Sequence, residues 1–501
     1  MPAPDAKKRL PAVADIWQRL VARLPTHCAG WRRLGDRLLK LSLVPLLVVL
    51  AAVLNPLDIN GSSGRTSLDA YRRLAASFYP DKGQKKIAVV QIDDQTLAAS
   101  GESYPPSFDF YARLIEEIKK AGAESILLDL MIIDRNRVGD PDGLGRLVKE
   151  MDDFPVFMTV ARSSQQDESG CATAGRQNLQ ELRDAVRLEV HPLIRDGASH
   201  VDLFAENYCG SPRLSAALAA YIEHCGQDAA CKGGKNDPLA NQDAFRNTAL
   251  TIEWGRVRPA GAEAMHPDHQ QLAAGCPDGS VADVLGNVIR TLTPFESGAL
   301  STAPAGCAYH PVIRAEWLTA PESVKDVNRD AVSATLAGRI VVVGAMFSGV
   351  QDVGPSPVYG IVPGMFLHAM AIDNLIVRGA GFMKEWSKLG LGDLDMSVLV
   401  ELIAMAAFAF AARKIGNLIA PRTLLSAVLW TLLLMGAGSL LGLVLSACLV
   451  WLHDLEPANW IGVAVAGAAI AGPARIVLAK RFQELRLLEA QEKSQNVKTP
   501  N

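Results

Sequence analysis

Four apolar runs set the first limit on how this chain can fold. Three of them, residues 396–412, 423–450 and 460–479, follow one another near the C-terminal end, and each is long enough for a membrane-spanning helix. The first run, residues 41–54, is short, but basic residues within 34–40 can extend it because their long side chains reach the membrane surface. An uncleaved anchor is favoured over a cleaved signal peptide, since a long segment precedes this run. The sequence therefore predicts one span at 41–58 and three spans within 396–479.

The charges that flank the runs predict an orientation. Residues 1–40 are rich in Lys and Arg, and so are the connector after residue 412 and the start of the tail 480–501. The connector 453–457 is acidic instead. Because Lys and Arg accumulate on the cytoplasmic side of a membrane, 1–40 is predicted to be a basic cytoplasmic segment and 480–501 a cytoplasmic amphipathic tail. Residues 62–379 then lie outside the cytoplasm.

Residues 62–379 combine short apolar runs with helical patterns. The runs 87–92, 125–128, 156–160 and 339–344 have the length of buried strands, and amphipathic stretches such as 110–118 lie between them. This alternation predicts a mostly parallel sheet with helices on both faces. The predicted fold class is an α/β extracytoplasmic domain with a large disulfide-stapled insertion, plus four transmembrane α-helices.

The insertion is the stretch from about 161 to 310, which is polar, irregular and rich in cysteine. An even number of cysteines in an oxidising compartment favours disulfides, although the sequence leaves their pairing open. Zinc is the alternative, and the absence of any Cys-x-x-Cys pair makes it the weaker one. The disulfide candidates are Cys171, Cys209, Cys225, Cys231, Cys276 and Cys307.

Motifs at the two ends of this region resemble one known family. They are VQIDDQTL at 90–97, Tyr104-Pro105-Pro106, IVVVGA at 340–345 with Gln351-Asp352 after it, and GMFLHAMAIDNL at 364–375. In this order they resemble the type-two CHASE domain, a cyclase- and histidine-kinase-associated sensory extracellular domain. The resemblance covers roughly residues 60–480 and includes the layout of one span before the domain and three after it.

The resemblance implies a sensor whose ligand is largely undefined and which feeds a cytoplasmic cyclase, kinase or diguanylate cyclase. Phe108 stands where the family commonly has an arginine, which leaves the ligand type open. The residues after Ala479 carry no nucleotide-binding fingerprint and no catalytic signature. We therefore expect a separate protein to supply the output.

Acidic residues at predicted strand ends are the candidate ligand site. Asp93 and Asp94 close the first strand, Asp129 closes the second, and Asp352 and His368 follow the last. Ligands of parallel sheets sit outside the carboxyl ends of the strands, where carboxylates and an imidazole could bind a divalent cation or a cationic ligand. The alternative is structural, because such aspartates often cap helices and a histidine on an apolar helix is often a hydrogen-bonded core residue.

These observations favour a bacterial inner-membrane sensor without an output domain of its own. We expect no enzymatic activity, because neither Gly-x-Ser-x-Gly nor His-Glu-x-x-His occurs, and we predict no cofactor, no metal site and no nucleic-acid partner. The expected partners are the lipid bilayer, a protein that receives the output and an unidentified extracytoplasmic ligand. The small residues of 438–442 would serve packing within the bundle or a homo-oligomer. The alternative function is a structural or assembly subunit of a cell-envelope complex whose outer domain binds proteins.

Overall fold

The computed structural model describes residues 59–132, 142–160, 179–195 except 193, 200–208, 211–261 except 247, 279–292, 307–347 except 325, 352–386 and 424–457, with a few short stretches and single positions elsewhere. Arg65–Met396 and Leu443–Ala458 together make up one of two compact units.

Strands and helices alternate along the described residues. The strands are β1 (Ile87–Asp93), β2 (Ser125–Asp129), β3 (Val156–Thr159), β4 (Leu188–Val190), β5 (Ile194–Arg195), β6 (His200–Asp202), β7 (Phe204–Tyr208), β8 (Ser211–Leu214), β9 (Ala249–Thr251), β10 (Val312–Arg314), β11 (Ile340–Met346), β12 (Val353–Ser356) and β13 (Gly360–Pro363). The helices are α1 (Ile59–Ala76), α2 (Asp94–Ser100), α3 (Phe108–Lys120), α4 (Gly143–Asp152), α5 (Gln180–Ala185), α6 (Ala216–Gln227), α7 (Asp243–Arg246), α8 (Val281–Leu292), α9 (Glu316–Thr319), α10 (Arg329–Leu336), α11 (Gly364–Arg378) and α12 (Leu424–His453).

The main sheet has six strands in the order β10-β1-β11-β2-β3-β4, and every neighbouring pair is parallel. Val90 of β1 lies opposite Val343 of β11, which in turn lies opposite Leu128 of β2. The central strands are buried along nearly their whole length because helices cover both faces. The prediction of a mostly parallel sheet in an α/β domain is confirmed.

Two separate cores lie on the two faces of the sheet, because successive strand residues point in opposite directions. Val89 and Leu127 pack on the face that α6 and α11 cover. Val90 and Leu128 pack on the other face, with apolar residues of α3, α4 and α10. The helices on both faces that the sequence predicts are present.

Helix α3 shows how local sequence sets an element. The Ser107 hydroxyl accepts a hydrogen bond from the Phe110 amide at 3.1 Å and so caps the first turn. Phe110, Leu114 and Ile118 lie on the buried side. Gly122 follows the last turn with a φ of 79°, which suits glycine because it has no Cβ.

Part of the predicted insertion belongs to the main fold. Strand β4 extends the sheet beside β3, and α6 buries residues from Ala216 to Cys225 in the core that also contains α11. The sequence conceals α6 because its buried face is largely alanine, which contrasts little with its other face.

Two disulfides staple the insertion, Cys225–Cys231 and Cys276–Cys307, as the cysteine count predicts. The remaining candidates, Cys171 and Cys209, lie outside the described residues.

The acidic connector after α12 pairs with the chain that follows α11. The Lys384 amide donates to the Asp454 carbonyl at 2.7 Å, and the Glu456 amide donates to the Lys384 carbonyl at 3.0 Å. The Trp386 indole N–H donates to the Glu456 carbonyl at 3.1 Å. The Glu456 carboxylate lies 2.9 Å from His200 Nε2. The connector is therefore part of the same compact unit as the α/β domain.

Among residues whose side chains are described as well as their backbone, no helix is long and apolar enough to cross a membrane. The predicted span 41–58 lies entirely outside the described residues, and most of 396–412 and of 460–479 does as well. Helix α12 occupies the predicted span 423–450. The four-span arrangement stays a prediction.

Candidate ligand site

The carboxyl ends of the strands bring Asp129, His368 and Asp352 together. Asp129 closes β2 on the face that α11 covers. His368 Nε2 lies 3.5 Å from Asp129 Oδ1, and these side chains are only 5% and 7% exposed. Asp352 lies against the start of α11, where a Cβ on Gly364 would come within 2.5 Å of its Oδ2. Its negative charge there is favourable because the amino end of a helix is partly positive.

The electrostatics of this cluster centre on Asp129. Burial raises the pKa of the Asp129 carboxyl above its usual value, and the neighbouring Asp352 charge raises it further. His368 and a hydrogen bond from Thr159 act in the opposite direction without cancelling the effect of burial. Asp129 is thus a carboxylate whose charge is only partly compensated by the protein around it, and a ligand that donates a proton or a hydrogen bond would stabilise it.

Two histidines give the cluster its hydrogen-bonding capacity. The Nδ1 atom of His368 is buried and has no hydrogen-bond partner among the described residues. His191, directly after β4, is fully buried, and its pKa falls to about 4 because of burial first, then His368 and Arg213. His191 is therefore neutral at physiological pH, while His368 offers a buried nitrogen to an incoming group.

The structure places Asp93 and Asp94 apart from that cluster, with β11 between β1 and β2. Asp93 caps α2 by accepting the Thr96 amide at 2.8 Å. Its carboxylate also lies 3.3 Å from Arg314, which contacts Glu316 at 2.6 Å. Asp94 is exposed in the first turn of α2. The geometry at Asp93 matches the capping alternative.

A second polar group, the amino-edge network, lies at the other end of α11. It consists of Tyr79, His310, Asp373 and Asn374. His310 Nε2 lies 2.9 Å from Asp373, and these side chains are 1% and 0% exposed. The Tyr79 hydroxyl donates to Asp373 at 2.8 Å, and burial followed by the Asp373 charge raises the pKa of Tyr79 well above its usual value.

Asn374 extends this network to the insertion. Its amide nitrogen donates to the Tyr79 hydroxyl at 2.6 Å and to the Glu253 carbonyl at 3.1 Å, while its oxygen accepts the Glu253 amide at 2.7 Å. Arg378 binds the Glu253 carboxylate through Nε and Nη2 at 3.0 and 2.8 Å. These contacts tie α11 to the chain after α1 and to the segment after β9.

Several of these residues have no recognisable signal in the amino-acid sequence. Thr159, His191 and His310 stand alone among residues without a recognisable spacing, so the sequence gives no signal for them. Arg314 ends a strand of only three residues, which is too short for a periodic pattern. Asp373 and Asn374 are polar residues on an apolar helix, and that contrast is the one signal available.

Within the described ranges, no group of three or more His, Cys, Asp and Glu residues is placed to hold a metal ion. The Asp129–His368 pair is suited to binding polar organic groups, because it combines a carboxylate with a buried imidazole nitrogen.

Comparison with known proteins finds one family. Residues 44–411 match the model of the CHASE2 domain. No curated protein and no solved structure matches the chain.

Proposed function

Because the chain belongs to the CHASE2 domain family, a family of extracellular sensory domains, we propose that it is a sensor of the bacterial inner membrane. In this proposal four spans hold residues 62–379 outside the cytoplasm. A small polar ligand binds at the Asp129–His368 edge of the sheet, and a protein partner reads the resulting change. The protein acts by binding and not by catalysis.

The observation that carries the proposal is that one helix joins the two polar clusters. His368 faces Asp129 at the carboxyl edge, and Asp373 and Asn374 anchor the amino-edge network on the same helix, α11. A helix is stiff over this distance, so a displacement at His368 also moves Asp373. Ligand binding can therefore bias the position of α11 as a whole.

Both the amino-edge network and the chain that follows α11 lead toward predicted spans. Tyr79 comes shortly after α1, which follows the predicted first span. Residues 383–386 follow α11 and precede the predicted second span, and Lys384 pairs with the connector at Asp454. A shift of α11 would reach all four predicted spans through these contacts, because the connector joins the third span to the fourth, and this provides the coupling that a sensor needs.

The proposal is tested by purifying the full chain from native membranes under non-denaturing conditions and measuring its mass by native mass spectrometry. We expect a bound small molecule on the wild-type protein, and we expect its loss from His368→Ala. His453→Ala is the matched control, because His453 is an exposed histidine at the end of α12. A wild-type protein that is always empty, or a ligand retained by His368→Ala, would contradict the proposal.

The partner is tested separately. Deletion after Ala479 removes the predicted amphipathic tail, which lies outside the described residues. We expect the truncated protein to keep its ligand and to lose the protein that copurifies with the full chain. Retention of that protein would mean that the output does not pass through the tail.

A further inference from the structure

A cavity of about 480 Å³ lies at the carboxyl end of α11. Lys235 and Asn236 line it from the insertion, Arg378 from the end of α11, and Asp454 from the connector after α12. Its volume is within the range of small-molecule sites. His368 lies ten residues before Arg378, about 15 Å along the helix, so this cavity is separate from the Asp129–His368 edge.

The walls of the cavity are held in place by contacts of their own. Asp237 accepts the Gly233 amide at 2.7 Å and the Leu239 amide at 2.8 Å, which fixes the loop that carries Lys235. The Cys225–Cys231 disulfide closes the preceding turn. The backbone pairing of Lys384 with Asp454 fixes the opposite wall. The cavity is thus formed before any ligand enters, which lowers the entropic cost of binding.

Opposite charges face this cavity from different segments. Neither the Lys235 ammonium nor the Asp454 carboxylate has a hydrogen bond or an ion pair to another described residue. Arg378 adds positive charge, but its guanidinium is already bound by Glu253. Asn236 places an amide beside them.

From this arrangement we propose that the cavity binds a small zwitterion of the amino-acid type. The ligand carboxylate pairs with Lys235, and the ligand ammonium pairs with Asp454. The carboxyl end of α11 also favours a cation, because the last carbonyls of a helix carry partial negative charge. A simple anion would meet the Asp454 carboxylate and that helix end, and a simple cation would meet Lys235 and Arg378. Only a ligand with both charges matches both walls.

Ligand binding in this cavity would link two segments that are distant in the chain. Lys235 is in the insertion, and Asp454 is in the connector between the predicted third and fourth spans. A zwitterion that bridges them would hold the connector against the end of α11.

The test is thermal unfolding of the full chain in detergent, with each common amino acid added separately in the millimolar range. We expect at least one of them to raise Tm by about 2 °C or more, and acetate and methylamine to have no such effect. Lys235→Gln and Asp454→Asn should each weaken that binding by about tenfold to a hundredfold, the loss expected for one charge-assisted hydrogen bond. Asparagine suits position 454 because Asp454 has a φ of 55°, a conformation that asparagine also tolerates.

Lys232→Gln is the matched control, because Lys232 is an exposed lysine of the same loop and does not line the cavity. It should bind as the wild type does. The proposal is overturned if no amino acid raises Tm, if acetate or methylamine does so equally well, or if both cavity variants bind with unchanged affinity.

Discussion

The ionisation of Asp129 links the candidate ligand site to stability. Burial raises the pKa of this carboxyl above the 3.8 of an exposed aspartate. Above the raised pKa the group is charged in the folded and unfolded states, and the buried charge costs free energy only in the folded one. As the pH falls from the raised pKa toward 3.8 the folded protein takes up the proton first, so this cost shrinks progressively and is gone only below 3.8.

We therefore predict that Asp129→Asn raises Tm at pH 8 and that its advantage over the wild type shrinks as the pH falls toward 4. The measurement is thermal unfolding across this pH range. Asp81→Asn is the control, because the Asp81 side chain is 62% exposed beside Lys85. Its replacement should change Tm only slightly, and the difference from the wild type should not shrink in the same way as the pH falls. A difference in Tm between Asp129→Asn and the wild type that stays constant with pH would contradict the raised pKa of Asp129.

The second prediction at the level of single residues concerns the buried pair His310–Asp373. Removing one member of a buried pair leaves the other uncompensated, so Asp373→Ala should lower the free energy of unfolding by about 3–5 kcal/mol. In a His310→Ala background the same change should cost much less, because the partner is already absent. Chemical unfolding followed by fluorescence of the buried Trp254 and Trp317 measures both costs. Equal costs in the two backgrounds would mean that the pair is not coupled.

Individual site residues are only partly predictable from the sequence. Asp129, Asp352 and His368 could be chosen because strand-end position and residue type both indicate them, and the structure brings these three together. Asp93 shares that position but serves as a cap, because the chain turns directly into α2. His310 could not be paired with Asp373 by sequence, since 63 residues separate them.

At the scale of elements, close contact between α11 and β11 is the feature that positions His368. A Cβ on Gly344 would lie 2.7 Å from the Met365 Cβ, so the helix can approach the strand only because this residue is glycine.

We predict that Gly344→Ala destabilises the protein by about 1–3 kcal/mol, because the helix must move away from the sheet. Gly145→Ala is the matched control. A Cβ there would meet nothing within 4 Å, and alanine favours the helix α4 that contains this residue. Chemical unfolding should show a loss for Gly344→Ala and an unchanged or higher stability for Gly145→Ala. Equal stabilities would show that α11 does not depend on this contact.

Predictability of the elements follows their patterning. Strands β1, β2, β3 and β11 are continuous apolar runs and helix α3 is amphipathic, so their positions follow from the sequence. Strands β4 and β10 have three residues each, and the alanine-rich α6 lacks contrast between its faces. Nothing local distinguishes such elements, because neighbours distant in the chain determine them.

At the scale of the whole molecule, the strand order depends on long-range pairing. The sequence indicates a parallel sheet, but β11 lies between β1 and β2 although more than two hundred residues separate it from β2. The position of β11 between β1 and β2 places the following helix, α11, over Asp129. Periodicity cannot reveal it, because each strand is buried on both faces and is equally suited to several positions.

The last prediction concerns topology. The backbone β-bridge between Lys384 and Leu455 joins the chain after the α/β domain to the connector between two predicted spans. This pairing requires both segments to lie on the same side of the membrane. Directly paired strand residues are close enough for a disulfide. We predict that Lys384→Cys combined with Leu455→Cys forms one when the protein is made in cells with an oxidising periplasm, as detected by mass spectrometry of cross-linked peptides. Either single variant should yield no such peptide. If the double variant also fails to cross-link while Cys225–Cys231 forms normally, the connector and the domain are not neighbours, and the route from α11 to the last two spans is lost.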